Sequence, residues 1–157
     1  MRAKRAVARG SNNISLDAKG RVAIPTKHRA DLLSVSEGKM VITISPNDRC
    51  LWLYTLAAWE AVETKLVSLP TLNAQTRKLK RMVIGHADDC DMDTNGRILL
   101  PAPLREFAML DKKAVLVGQG DKFEIWGEAQ WDAHRDSILS EELDESALPV
   151  ELESLSF

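Results

Sequence analysis

The chain repeats itself, and no other feature of the sequence restricts its fold as tightly. Residues 15–32 read SLDAKGRVAIPTKHRADL and residues 91–108 read DMDTNGRILLPAPLREFA. At one offset of 76, Asp17 meets Asp93, Gly20 meets Gly96, Arg21 meets Arg97, Pro25 meets Pro101 and Arg29 meets Arg105. Apolar positions agree as well: Leu16 with Met92, Val22 with Ile98, Ile24 with Leu100. After small changes in length, MVITI (40–44) lies over AVLVG (114–118) and LWLYTLAAWEA (51–61) over FEIWGEAQWDA (123–133). A fixed spacing followed by the same order of elements marks a duplicated module.

Each copy predicts the same elements. Apolar residues alternate up to DAKG or DTNG and resume as RVAI or RILL, the pattern of a β-hairpin whose glycine supplies a positive φ. Pro25 and Pro101 stand where short helices would start, near 26–33 and 102–109. Strands follow at about 39–45 with 50–54, and 113–118 with 122–126. Thr55 is a plausible N-cap for a helix whose Leu56, Trp59, Val62 and Leu66 share one face. Trp59 and its counterpart Trp131 read as core anchors. Pro70 ends that helix, and a connecting helix near 73–85 sets Arg77, Lys78, Lys80 and Arg81 against Leu79, Met82 and Val83. One module of about 45 residues buries too little apolar surface to stand alone. The expectation is therefore an α+β fold in which both copies complete one pseudo-twofold barrel. Its parts are a basic arm (1–10), a first repeat (11–58), connecting helices (59–86), a second repeat (87–130) and an acidic helical tail (131–157).

Net charge is −2, but the two ends oppose each other. Residues 1–29 carry eight Lys and Arg against Asp17 alone, whereas residues 132–157 carry eight acids against Arg135 alone. A basic first sixth is a candidate phosphate-binding surface. Two cysteines, Cys50 and Cys90, make no disulfide framework and suit a reducing cytoplasm. No apolar run approaches the roughly 18 residues that cross a membrane, and no apolar segment follows the basic N-terminus as a secretory signal would require.

Several motifs invite other chemistry. DMDTNG (91–96) matches the first half of a calcium loop, yet its twelfth position is Ala102, and Lys19 occupies the place of Asn95 in the first copy. His86, Cys90 and the nearby Asp88, Asp89 and Asp91 resemble metal ligands, but the first copy offers no matching Cys or His. A buried cysteine and a hydrogen-bonded histidine is the simpler account. The three histidines and two cysteines are scattered, without a nucleophile elbow or phosphate loop. The sequence thus points to no catalytic residue, no metal and no cofactor.

What remains is the repeated D-x-x-G-R, in which Asp17 or Asp93 accepts a turn N–H and pairs with Arg21 or Arg97. In the first copy, Lys19 sits inside the turn, Lys27, His28 and Arg29 follow, and the arm adds Arg2, Lys4, Arg5 and Arg9. A cationic hairpin tip suits a DNA groove, where Arg pairs with guanine and neighbouring Lys hold phosphates. The second turn, with Thr94 and Asn95 and four acids before it, is the poorer reader.

The paired hairpins DAKGRVAIP and DTNGRILLP, with RMVIGHA before the second, resemble the MraZ family of the SpoVT–AbrB superfamily, from about Gly10 to Trp131. The resemblance implies a swapped-hairpin (double-split) β-barrel, a ring-like homo-oligomer, and a cytoplasmic, nucleoid-associated regulator. It implies binding to double-stranded promoter DNA at short direct repeats upstream of its own cell-division and cell-wall operon. DNA contacts would fall on Arg21 and Lys19; Asp17 and Gly20 would hold that turn, with Asp93, Gly96 and Arg97 as structural counterparts. About six residues precede the usual family start. Three rivals stay open at this point: an oligomeric scaffold recruiting a partner through its acidic tail, an antitoxin-like regulator and, third, a metalloenzyme.

Overall fold

A computed structural model describes residues 8–151. In chain order its elements are β1 (Ser11–Ser15), β2 (Arg21–Ala23), α1 (Thr26–Ser36), β3 (Met40–Ile44), β4 (Leu51–Thr55), α2 (Leu56–Val67) and α3 (Ala74–Val83). The second copy follows with β5 (Asp88–Asp89), β6 (Arg97–Leu99), α4 (Ala102–Phe107), β7 (Lys113–Gly118), β8 (Phe123–Gly127) and α5 (Glu128–Ser140), before a 3₁₀ turn at Glu145–Ala147. The fold is α+β with antiparallel pairing throughout. No helix among the described residues is long and apolar enough to cross a membrane.

The helix boundaries follow local chemistry. Thr55 caps α2 by accepting from the Ala58 N–H at 3.3 Å. Asn73 caps α3 through two N–H groups, at 2.9 and 3.1 Å. Pro25 and Pro101 take the cap positions of α1 and α4, with φ near −53° and −58°, and so end the strand before each helix.

The strands do not pair as the sequence alone suggests. β1 and β2 form no ladder with each other; the only bridge between their ends joins Leu16 and Val22 beside the turn. Each then leaves for a strand of the other copy, β1 for β7 and β2 for β6. The expected two-strand hairpins are therefore only turns, and their arms are exchanged between copies. Two short strands have too little to gain from each other; pairing outward buries both faces of the joint core.

The registers show how the copies are related. In β2–β6, Val22 faces Ile98, its own equivalent at the offset of 76. In β4–β8, Trp52 faces Glu124, its equivalent at an offset of 72. A pseudo-twofold axis therefore passes through both places. The larger sheet has the order β1-β7-β8-β4-β3-β5 and is open, with β1 and β5 at its edges; β2–β6 forms a separate two-stranded ribbon. The acidic Asp88 and Asp89 occupy the short β5 edge, where charge discourages further pairing.

One core serves both copies. Val22, Ile24, Leu32, Ile42, Leu51 and Leu53 pack with Ile98, Leu100, Leu104, Leu116, Phe123 and Ile125. His28 occupies the position equivalent to Leu104 and is likewise buried, its ring edge-on to Phe123 at 4.9 Å. It therefore adds nothing to the basic surface, contrary to its place in the sequence beside Lys27 and Arg29. Trp59 is buried in a second cluster with Tyr54, Leu66 and Val83, as its anchoring role requires. Trp131 is only half-buried.

Candidate nucleic-acid interface

The two turns are built alike, from the aspartate outward. Asp17 Oδ1 accepts the backbone N–H groups of Lys19 and Arg21, each at 2.9 Å, and Oδ2 accepts Arg21 Nε at 2.8 Å. Asp93 repeats this with Asn95 and Arg97 N–H at 2.9 Å and Arg97 Nε at 3.2 Å. The Arg21 and Arg97 backbone N–H groups are the main reason that both carboxyls sit below the usual carboxylate range. Gly20 and Gly96 close the turns at φ of 84° and 73°. Both Asp–Arg pairs are partly exposed, and each fixes its arginine to the aspartate that holds the turn.

Alternation along β2 and β6 decides where those arginines point. Val22 and Ile98 face inward and are fully buried, so Arg21, Ala23, Arg97 and Leu99 face outward together. Arg21 stands opposite Leu99 and Ala23 opposite Arg97. The outer face of the ribbon is thus a four-residue patch with arginines at two corners and a Leu99 that is 55% exposed. Leu99 was not singled out from the sequence, although strand alternation after Gly96 places it outward.

Strand exchange redistributes the remaining cations. Arg29 packs on the second turn, against Gly96, with its Nε donating to Ile24 O at 2.7 Å. Arg105, from the second copy, packs on the first turn, where a methyl added to Gly20 would lie 2.6 Å from its Cζ. Its Nε donates to Leu100 O at 3.0 Å. The first turn also gains Lys112, whose carbonyl receives Leu16 N–H at 2.8 Å, and Lys113, paired with Ser15. None of these three was assigned to the site from the sequence; linear distance hid them. Lys19 is exposed at the tip of the turn.

Lys27 and Arg9 form a separate group. Lys27 Nζ lies beside Gly10, next to Arg9, where residues 8–10 run along the end of β7. Six residues of extended chain separate Gly10 from Leu16, a span of about 20 Å. Tip and base cations therefore belong to one face only if the ligand is long. Arg2, Lys4 and Arg5 lie outside the described residues.

The metal-like residues are engaged elsewhere. His86 Nδ1 lies 2.8 Å from Met82 O, and Asp91 Oδ1 accepts Met40 N–H at 3.3 Å. Cys90 donates to Leu99 O at 3.3 Å, and burial pushes its thiol up to about 12. Burial raises Cys50 as well, so both thiols are poor nucleophiles. No group of three or more His, Cys, Asp and Glu is arranged for a metal among the described residues.

Comparison with known proteins agrees with this geometry. A family model described as "MraZ protein, putative antitoxin-like" matches twice, over residues 7–82 and 83–148, once for each copy. The chain belongs to the MraZ family. A protein named Transcriptional regulator MraZ from Halorhodospira halophila is 51% identical over 149 residues, 94% of this chain and 98% of its own. The protein of that name from Methylococcus capsulatus is 53% identical, covering 85% and 87%. The one from Coxiella burnetii is 48% identical, covering 94% and 98%.

Proposed function

We propose that this MraZ-family chain is a sequence-specific, DNA-binding transcriptional regulator without catalytic activity. The observation that carries the reading is the outer face of the β2–β6 ribbon. There Asp17 takes Arg21 through Nε, a geometry that steadies the guanidinium while directing it away from the core. No other hydrogen bond to that guanidinium forms among the described residues, which leaves its terminal nitrogens available to base edges. Lys19, Arg105, Lys112 and Lys113 come from the same turn and the strand end beside it, and add charge suited to phosphate. Lys27 and Arg9, about 20 Å away along β1, would hold the backbone further along a duplex. Arg29 supports the second turn and adds charge there. The names of the relatives support the regulatory half of the reading.

In its finer form the proposal extends to targets and assembly. The exchanged strands support a pseudo-twofold, swapped-hairpin barrel. One ribbon makes few contacts, so a ring-like homo-oligomer meeting short direct repeats would gain affinity through effective concentration. Each subunit of a rotational ring presents the same edge in the same sense, which suits direct repeats. The target we infer is the DNA upstream of its own cell-division and cell-wall operon, and the setting a cytoplasmic nucleoid.

The test is a gel shift on DNA from upstream of its own gene. Arg21→Ala abolishes specific binding, while Arg97→Ala chiefly perturbs folding or assembly, because acids crowd the second turn. Binding weakens steeply with salt, with a log–log slope of about −0.9 per phosphate contact. Wild-type affinity in Arg21→Ala would refute the site; the absence of any salt-dependent shift would favour a scaffold.

A further inference from the structure

The duplication provides an internal control for the ribbon face. At the offset of 76, Arg21 corresponds to Arg97, Val22 to Ile98 and Ala23 to Leu99. The arginines and the buried pair obey the pseudo-twofold, and the outward apolar positions break it. Alanine in the first copy shows that the ribbon closes without a larger side chain there. Leu99 is nevertheless 55% exposed, on a face whose other long side chains are arginines. Core packing does not account for it, because Val22, Ile24, Ile98 and Leu100 make the buried side.

The ladder fixes how near Leu99 stands to Arg21. Leu100 N–H donates to Gly20 O at 3.0 Å, and Ile24 N–H to Gly96 O at 2.8 Å. Antiparallel pairs alternate, so Gly20–Leu100, Val22–Ile98 and Ile24–Gly96 are the hydrogen-bonded ones, and Arg21–Leu99 and Ala23–Arg97 are not. Partners of the second kind bring their side chains closest, with Cα atoms about 4.5 Å apart. The Leu99 backbone is also held from outside the ribbon, because its carbonyl accepts the Cys90 thiol at 3.3 Å. Leu99 thus has a fixed place beside the arginine whose turn carries Lys19, whereas Arg97 has only the Ala23 methyl beside it.

We propose that Leu99 is a specificity-determining residue, reading the C5-methyl group of a thymine one base step from the guanine that Arg21 reads. This deepens the DNA-binding reading above and rests on it. A two-stranded ribbon fits the major groove, where thymine presents a methyl group that the other bases lack. The spacing of Arg21 and Leu99, about 4.5 Å, is close to one base step of about 3.4 Å. The two bases are read by different chemistry: Arg21 uses charge-assisted hydrogen bonds and Leu99 the burial of apolar surface. Because Leu99 has no equal beside Arg97, it also gives the pseudo-twofold ribbon one sense along DNA. A non-palindromic site requires such an asymmetry.

Replacing thymine by uracil tests this directly, since it removes the methyl group and keeps the base pairing. Duplexes from upstream of the chain's own gene, with thymines changed to uracil one at a time, are titrated with wild type, Leu99→Ala and Leu99→Met. The guanine is located in the same way with 7-deazaguanine, to which Arg21→Ala is indifferent. Wild type binds about fourfold more weakly when the thymine next to that guanine becomes uracil, the worth of about one buried methylene. Leu99→Ala binds the thymine duplex more weakly by at least that factor and no longer distinguishes uracil from thymine, whereas Leu99→Met keeps the distinction. The ratio between two duplexes does not depend on how much of a variant is folded. Wild type indifferent to uracil at every position, a sensitive thymine remote from that guanine, or the wild-type ratio in Leu99→Ala would each overturn the methyl contact while leaving DNA binding intact. The last result is also what a Leu99 that merely buttressed the stem of Arg21 would give. Wild type without salt-dependent binding to any of these duplexes would instead sink the DNA-binding reading, and the contact with it.

Discussion

Replacing Gly96 with alanine asks whether the second turn needs glycine for its backbone, for space, or for both. The position has φ near 73°, where a Cβ costs about 1–2 kcal/mol. A methyl there would also lie 2.6 Å from Arg29 Cδ and closer still to Nε. Arg29 is not free to step aside at no cost, because its Nε holds Ile24 O at 2.7 Å. Loss of that charge-assisted bond at a half-exposed site adds about 1 kcal/mol. The expected total is about 2–3 kcal/mol, measured by urea denaturation at fixed protein concentration. Gly120→Ala is the control: its φ is 84°, yet a Cβ there meets nothing within 4 Å, so only the backbone cost of about 1–2 kcal/mol remains. In an Arg29→Ala background, Gly96→Ala falls to the cost of the control. Equal losses for Gly96→Ala and Gly120→Ala, with no coupling to Arg29, would refute the packing of Arg29 across the two copies.

Further expectations concern His28 and α3. Burial holds His28 below the ordinary imidazole value near 6.5, with Lys27 adding to the effect and Asp31 opposing it. The unfolded chain therefore takes up this proton first, and the His28 contribution, fully present above about pH 6.5, is lost as pH falls through the lower folded value. Because His28 Nε2 has no hydrogen-bond partner among the described residues, and the equivalent position holds Leu104, His28→Leu raises the urea midpoint and flattens its slope between pH 7.5 and 5.5; an unchanged slope contradicts this. Asp17 and Asp93 act in a separate, more acidic window, because their carboxyls are depressed below the usual range. Thr43→Val removes the 2.6 Å tether to Val83 O and costs about 1–2 kcal/mol. Amide exchange across α3 then rises about tenfold, whereas exchange identical to wild type would show that α3 is held without it.

Much of the fold was legible because duplication makes each copy a check on the other. The turns, the cap at Thr55 and the Trp59 face of α2 depend on residues within one turn or strand of each other, and they form as read. So does the Asp17–Arg21 pair, since four residues of chain suffice to make it. The DNA-binding assignment was legible only as a candidate. Residue type marks Lys19 and Arg21 as cations, but not their neighbours in space.

What tertiary structure alone decided is which copy each strand serves. Local pattern gives β1 and β2 the same alternation whether they pair with each other or with β7 and β6. Only burial of a joint core selects the exchange, and with it the crossing of Arg29 to the second turn and Arg105 to the first. His28 was misleading for the same reason: a sequence shows a titratable ring beside Lys27 and Arg29, while the helix's packing against Phe123 places it inside. Nor does a repeat announce its own asymmetry. Among the described residues the connecting helix has one copy, so α2 packs against it while α5 has no buried residue. Sequence by itself determined the duplicated module, its turns and its opposing charges, all set by near neighbours. The arrangement of cations on one ribbon face follows from contacts between residues far apart in the chain.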